Sequence, residues 1–271
     1  MREFNYPIFT MGNKLTQEQV DVFEEHGFLH FRNFINSDAI AQITRAMNEV
    51  QKKWIDSNIE KVNGVPIKHG YDVDGSKIIQ RFAFASQHSP VLHEFLQDER
   101  FTYLFPLLKT PIGARIGENE KDGLVINHYI NTEKSEFTQM GWHTDAPRDI
   151  FLGKKIGPML NVGLHIDACP PTKGGLRLIP GTHKQGMFKL LFGKKYFIDN
   201  NPDPLEIALN SLPGDLTVHD GRLWHRVAKA EIQGEESRRR VMYIPIIDGE
   251  YNPKHENSPT PFFQRFMKHF K

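Results

Sequence analysis

The residues best suited to chemistry are a histidine and an aspartate two positions apart, His143 and Asp145, in the run GWHTD. Side chains two positions apart on a strand point the same way, so this imidazole and this carboxylate can bind one metal ion. The pattern is short, however, and the chain contains a second copy, His165 with Asp167. Spacing alone therefore does not choose between the two pairs.

A third metal ligand is available further along the chain, in the run GDLTVHDGRLWHR. This run offers His219 and His225, and His225 follows an Asp-Gly turn of the kind found at hairpin tips. Two histidines and one carboxylate on one side of a metal form the ligand set of non-haem Fe(II) oxygenases, which leaves other coordination positions open. The residues by themselves leave both histidines as candidates.

An iron oxygenase that uses 2-oxoglutarate also needs a fixed cation for the far carboxylate of that diacid. Arginine suits this role because its planar fork pairs with both carboxylate oxygens. Three consecutive arginines, Arg238, Arg239 and Arg240, begin an apolar run after His225. Alternation along a strand turns at least one of them inward, and the others then form a solvated charge run.

The first part of the chain carries helix signals. Thr16 and Gln19 have the spacing of a capping box, and Gly27 is placed to end the helix that they begin. Ser37 is the predicted N-cap of a second helix, and the polar residues 58–75 are predicted to form a loop. Helices are therefore expected over about residues 15–110, with strands predicted between them at residues 28–34 and 77–85.

The pattern of apolar and turn-forming residues changes after this helical part. Over about residues 111–250, short β-like runs alternate with Gly, Pro, Asn and Asp, which is typical of a barrel or sandwich. The long connection at residues 186–206 is predicted to cover a site. We expect one domain over residues 1–271 that ends in an aromatic tail helix at about residues 260–270, a core-packing element or alternatively a dimer surface or membrane-edge helix.

Composition narrows the class of protein. The formal net charge of the 271 residues is +1, so no basic footprint predicts nucleic-acid binding. No apolar run is long enough for a transmembrane segment, and the N-terminal residues lack the apolar stretch of a signal peptide. A single cysteine, Cys169, excludes an internal disulfide framework. We therefore expect a globular, cytoplasmic protein.

Four motifs in order resemble one known family. The chain contains LTQEQVDVFEEHGFLHFRNF, GWHTD, GGLRLIPGTHKQG and PGDLTVHDGRLWHR followed by SRRRVMY. Over residues 15–245 it resembles the phytanoyl-CoA dioxygenase (PhyH-like) family of Fe(II)- and 2-oxoglutarate-dependent oxygenases. The resemblance implies a mainly β fold with flanking α-helices, built on a double-stranded β-helix (jelly roll) of eight core strands.

The resemblance also implies roles for individual residues. It implies His143, Asp145 and His225 as Fe(II) ligands and leaves His165 with Asp167 as a structural pair in a core strand. It favours Arg239 as the anchor of 2-oxoglutarate, and it implies Asn127 and Tyr129 as further contacts to the co-substrate or substrate. The candidate site therefore consists of six residues: His143, Asp145, His225, Arg239, Asn127 and Tyr129.

The implied reaction consumes dioxygen and 2-oxoglutarate, hydroxylates a small organic molecule, and releases succinate and CO2. Asp145 argues against a halogenase, which needs a small residue there to admit a halide. Three alternatives stay open: a non-redox divalent-metal enzyme on the same scaffold, a catalytically silent ligand-binding member, and a scaffold or membrane-edge protein whose metal site is structural.

Overall fold

The computed structural model describes residues 5–109, 111–145 and 157–260. The α-helices within these ranges are α1 Gln17–His26, α2 Ser37–Asp56, α3 Pro90–Leu96 and α4 Met187–Phe192, and a 3-10 helix spans Glu99–Leu108. The strands are β1 Phe28–Phe31, β2 Lys61–Val62, β3 Val65–Pro66, β4 Lys68–Tyr71, β5 Lys77–Phe82, β6 Arg115–Ile116, β7 Val125–Asn131, β8 Met140–His143, β9 Met159–His165, β10 Gly175–Leu178, β11 Ile207–Ala208, β12 Leu216–Asp220, β13 His225–Ala228 and β14 Gly234–Ile247.

The sheets form a jelly roll. An eight-stranded sheet has the order β1-β12-β9-β14-β7-β5-β4, with β6 paired to β14, and a four-stranded sheet has the order β11-β10-β13-β8. The pairs that connect these strands are antiparallel. From β7 to β14 the chain passes repeatedly between the two sheets, four strands in each, which is the predicted double-stranded β-helix.

The large sheet has one apolar face and one polar face because side chains alternate along each strand. Its apolar face packs against α2 in a single core cluster that includes Val162, Val218, Ile244, Met47 and Trp54. Its other face looks towards the small sheet, as the contact of Tyr129 on β7 with Val227 on β13 shows. The polar residues of the large sheet therefore line the interior between the sheets, called the lumen below.

The predicted caps of the first helix are present in the structure, whereas the predicted N-cap of the second helix is wrong by one residue. The Thr16 and Gln19 capping box is present, and Gly27 ends α1 with φ of 82°. The second helix is capped by Asn36, not by Ser37 as predicted. Asn36 has an extended backbone and its side chain accepts from the Ala39 N–H, whereas Ser37 is already the first helical residue.

The prediction of a loop at residues 58–75 is wrong, because this segment contains β2, β3 and β4. The predicted strands at residues 28–34 and 77–85 are present as β1 and β5. Both belong to the large sheet, which the unpredicted β4 joins through its hairpin with β5. β4 lies at the sheet edge and is largely exposed, which allows a polar sequence to form a strand through backbone pairing alone. No pattern of alternating apolar residues marks such a strand.

Two further expectations concern the long connection and the tail. The connection at residues 186–206 contains α4. Residues 261–271, which carry nearly all of the predicted tail helix, lie outside the described residues. Among the described helices, none combines the length and the apolar character needed to cross a bilayer.

Candidate metal centre

Three side chains of metal-binding type meet at one end of the small sheet. His143 ends β8 and His225 begins β13, and the two residues are direct partners across these antiparallel strands. Asp145 follows β8, and its backbone N–H donates to the Gly221 carbonyl at 2.8 Å. One ligand atom from each of the three side chains lies within 4.8 Å of the other two. Strand pairing thus joins residues that are far apart in the sequence.

Hydrogen bonds set the orientation of both imidazoles. His143 Nδ1 lies 2.8 Å from the Gly141 carbonyl oxygen, and His225 Nδ1 lies 2.9 Å from the Leu223 carbonyl oxygen. Because a carbonyl oxygen only accepts, Nδ1 carries the proton in each ring. Each Nε2 therefore has its lone pair available, which is the state in which histidine binds metals.

The electrostatics of the group favour metal-binding protonation states. Burial, together with the neighbouring His143 and His219, holds the pKa of His225 well below its ordinary value. Burial alone would raise the pKa of Asp145, but interactions with His219, His225 and His143 outweigh it and lower that pKa. The carboxylate is therefore charged and the His225 imidazole neutral at pH 7, as a divalent cation requires.

The three arginines that the sequence left as alternatives have different surroundings. Arg238 is paired with Asp72 at 2.5 Å and with Glu235, and Arg240 is paired with Asp167 at 2.7 Å. Arg239 is 5% exposed and makes no ion pair with an acid among the described residues. A buried cation without a counter-charge is unfavourable, so Arg239 is the arginine whose surroundings call for an anion.

The protein contacts of Arg239 leave much of its guanidinium unpaired. Its Nη2 donates to the Ala228 carbonyl at 2.7 Å, and its Cζ lies 4.5 Å from the centre of the Tyr129 ring. Asn127 and Tyr129 lie on the same face of β7, and both are buried. Asn127 Oδ1 and the Tyr129 hydroxyl have no hydrogen-bond partner within the described part of the chain. Unsatisfied polar groups of this kind favour a polar ligand.

The second His-x-Asp pair lies apart from the metal group. His165 makes close polar contacts with Ser211 Oγ at 2.8 Å and Thr217 Oγ1 at 3.2 Å, and Asp167 pairs with Arg240. Both residues thus have structural partners, in agreement with the prediction for this pair.

Several residues at the site were not predicted from the sequence. Asn161 donates to Asp145 Oδ2 at 2.9 Å. His219, which the residue pattern left as an alternative metal ligand to His225, lies beside the same oxygen. The sequence signal for Asn161 is a polar residue in the middle of a mostly apolar strand, whose other polar residue, His165, is at its end. The Phe197 ring stacks on His143 with centroids 4.8 Å apart, and the Tyr196 hydroxyl is 2.9 Å from Thr144 Oγ1. Residues 186–206 therefore do contact the site.

The fold and the side-chain group define a jelly-roll protein with a His/Asp/His group suited to a divalent metal, in which both histidines are buried and the aspartate is partly buried. Residues 23–231 match the phytanoyl-CoA dioxygenase (PhyH) family, and the chain belongs to that family. Among curated proteins, no sequence match was found.

Solved structures with the same fold are known for several distant proteins. EctD from S. alaskensis with bound Fe has a TM-score of 0.63 at 14% identity, covering 93% of this chain and 83% of its own. HygX from Streptomyces hygroscopicus with nickel and 2-oxoglutarate bound has a TM-score of 0.61 at 14% identity, covering 88% and 89%. SnoK, a non-heme alpha ketoglutarate dependent carbocyclase from nogalamycin biosynthesis, has a TM-score of 0.62 at 13% identity, covering 95% and 91%.

Proposed function

We propose that this protein is an Fe(II)- and 2-oxoglutarate-dependent dioxygenase that hydroxylates a small organic molecule. The observation that carries the proposal is the combination, in one lumen, of the His143/Asp145/His225 group and a buried arginine, Arg239, that has no acidic partner among the described residues. Family membership and the iron and 2-oxoglutarate found in EctD and HygX support the same assignment.

The three proposed metal ligands have complementary tasks. His143 and His225 would donate their Nε2 lone pairs, and Asp145 would supply one negative charge that offsets part of the charge of the cation. With iron and 2-oxoglutarate bound, the centre supplies oxidation by O2: the substrate C–H becomes C–OH while 2-oxoglutarate becomes succinate and CO2. Three protein ligands leave room for the co-substrate and dioxygen.

Arg239 is the proposed anchor for the far carboxylate of 2-oxoglutarate. Its guanidinium can donate to two carboxylate oxygens at once, and binding would give the buried cation its missing counter-charge. The Tyr129 hydroxyl is a donor that lacks a partner, and burial raises the pKa of this group, so it stays protonated. We propose that Tyr129 and Asn127 complete the polar contacts to the co-substrate or substrate.

Residues 186–206 limit the access of water to one side of the centre. Phe197 covers the His143 ring, and its backbone N–H donates to the Trp142 carbonyl at 2.9 Å. Tyr196 contacts both Thr144 and the Leu190 carbonyl, which connects α4 with the metal-binding motif. Exclusion of water protects a reactive centre from side reactions.

The second candidate function is oxidative ring closure, which uses the same iron and 2-oxoglutarate chemistry but gives a different product. SnoK is described as a carbocyclase, so this fold accommodates 2-oxoglutarate-dependent reactions other than hydroxylation. Mass spectrometry of the product separates the two, because hydroxylation adds one oxygen atom whereas oxidative ring closure removes two hydrogens.

The proposed function is tested without knowledge of the substrate. Anaerobic protein is mixed with Fe(II) and then with 2-oxoglutarate, and the visible charge-transfer absorption of iron-chelated 2-oxoglutarate is recorded. We expect the band in the parent protein and its loss in His143→Ala. Metal binding without a band would contradict the proposal and would favour the non-redox metal enzyme.

A further inference from the structure

Asp145 differs from the two histidines of the metal group in how its backbone is held. His143 and His225 belong to paired strands, whereas Asp145 lies beyond the end of β8. Its side chain therefore has to be oriented by other groups. Two residues of the large sheet lie against it, and both reach the same oxygen, Oδ2.

Asn161 and His219 are neighbours on the lumen face of the large sheet. They are direct partners in the register of β9 and β12, so their side chains emerge side by side. Asn161 Nδ2 donates to Asp145 Oδ2 at 2.9 Å, and His219 Nε2 lies 3.8 Å from the same atom. The donors thus approach the carboxylate from the sheet opposite to the one that carries the histidines.

The described residues give His219 no structural partner that explains its position. It is 1% exposed, and neither ring nitrogen has a hydrogen-bond partner within the described residues. Its ring centroid is 4.5 Å from that of His225. A buried imidazole without partners is costly, and an apolar side chain of similar size would avoid that cost. Closing the gap to Asp145 to about 2.9 Å would make a charge-assisted hydrogen bond.

We propose that Asn161 and His219 are positioning residues, which hold Asp145 Oδ2 and thereby set the orientation in which this carboxylate meets the metal. This inference rests on the proposed metal-binding function of Asp145. Asn161 donates an amide hydrogen to this oxygen, and His219 would donate from Nε2–H once its 3.8 Å gap to the same oxygen closes. Neither residue is a metal ligand in this arrangement, since His219 stands outside the group whose ligand atoms converge.

The test measures metal binding in place of turnover, with Co(II) as the probe and its visible absorption as the readout. The informative variants are His219→Phe and Asn161→Leu, which keep similar volume but remove the donors, and His219→Gln, which retains one. The matched control is His165→Phe, because His165 is a buried histidine on the same face of the large sheet that contacts Ser211 and Thr217. Chemical unfolding of each variant shows that it is folded.

We expect His219→Phe and Asn161→Leu each to raise the dissociation constant for Co(II) by about 10- to 100-fold, the usual effect of losing a partner of a metal ligand. His219→Gln should recover most of the affinity, and His165→Phe should bind like the parent. The double variant should lose less than the two single effects combined, because both residues hold one oxygen. If His219→Phe does not fold, Asn161→Leu tests the same contact.

Three results would overturn the inference. Parent-like affinity in both His219→Phe and Asn161→Leu would remove the positioning role, and equal weakening in His165→Phe would indicate general damage to the lumen. A Co(II) spectrum in His219→Phe that matches the changed coordination of His143→Ala would make His219 a ligand. A parent protein that binds no Co(II) would instead contradict the proposed function itself.

Discussion

Arg239 and Tyr129 are direct partners across β14 and β7, with the Arg239 guanidinium carbon 4.5 Å from the centre of the Tyr129 ring. The ring stabilises the cation through its π face and holds the guanidinium in one plane. Burial meanwhile lowers the pKa of Arg239 and raises that of Tyr129. The pair is therefore an oriented but incompletely paired donor site inside the lumen.

Replacing Arg239 with alanine is expected to weaken 2-oxoglutarate binding. Hydrogen bonds to charged groups are worth about 1.5–3 kcal/mol, which corresponds to about 10- to 150-fold in affinity. The measurement is titration of the anaerobic Fe(II) protein with 2-oxoglutarate. Arg240→Ala is the matched control, because Arg240 pairs with the partly exposed Asp167 and should leave this affinity unchanged. The reverse pattern would transfer the anchor to Arg240.

Replacing His143 or Asp145 with alanine is expected to abolish iron-dependent succinate formation, because each change removes one of three protein ligands. The second His-x-Asp pair, which lies apart from the metal group, provides the control: Asp167→Ala removes an ion pair to Arg240 and should retain succinate formation. The measurement is succinate release together with bound iron per chain. Succinate formation at the parental rate in both His143→Ala and Asp145→Ala would refute the assignment of the metal group.

The position of the α2 cap has a direct energetic consequence. Asn36→Ala removes the side-chain acceptor of the Ala39 N–H and should lower the free energy of unfolding by about 1 kcal/mol. Ser37→Ala should change it by less than about 0.5 kcal/mol, because alanine favours a helical position. Urea unfolding of the two variants measures both values. A larger loss for Ser37→Ala would place the cap where the sequence predicted it.

Stability is expected to fall between pH 7 and pH 5 in the metal-free protein. Burial lowers the pKa of His128 and of His165 to about 3, so both stay neutral in the folded state. In the unfolded state they take up protons below their ordinary pKa of about 6.5. The unfolded state thus binds more protons, and each histidine contributes a loss of up to about 1.4 kcal/mol per pH unit below that value.

Urea unfolding in the presence of a chelator at pH 7, 6 and 5 measures this slope. His165→Gln should make this slope smaller than it is in the parent protein, because it removes one of the two buried histidines. The window lies above the ordinary pKa of carboxyl groups, so their titration contributes little. A parent protein that is equally stable at pH 7 and pH 5 would contradict the prediction.

Local signals explain why parts of the fold were predictable. The Thr16 and Gln19 capping box and Gly27 act through hydrogen bonds within one helix, so neighbouring residues suffice to define them. The strand at residues 68–71 was not predictable, because it depends on pairing with β5 and has no apolar alternation of its own. An edge strand is stabilised by pairing with a neighbouring strand, and the sequence of the edge strand alone does not show which strand that is.

The candidate site, like the fold, has features that the sequence predicted and others that depend on the tertiary structure. From the sequence came the residue types, the order of the four motifs and the proposal of His143, Asp145 and His225 as one group. Only the tertiary structure decided which arginine lacks an acid, since Asp72 and Asp167 reach Arg238 and Arg240 through distant elements. It also placed Asn161 and His219 beside Asp145. The physical reason is that motif chemistry is local to the chain, whereas counter-charges and hydrogen-bond partners are set by strand register between residues far apart in sequence.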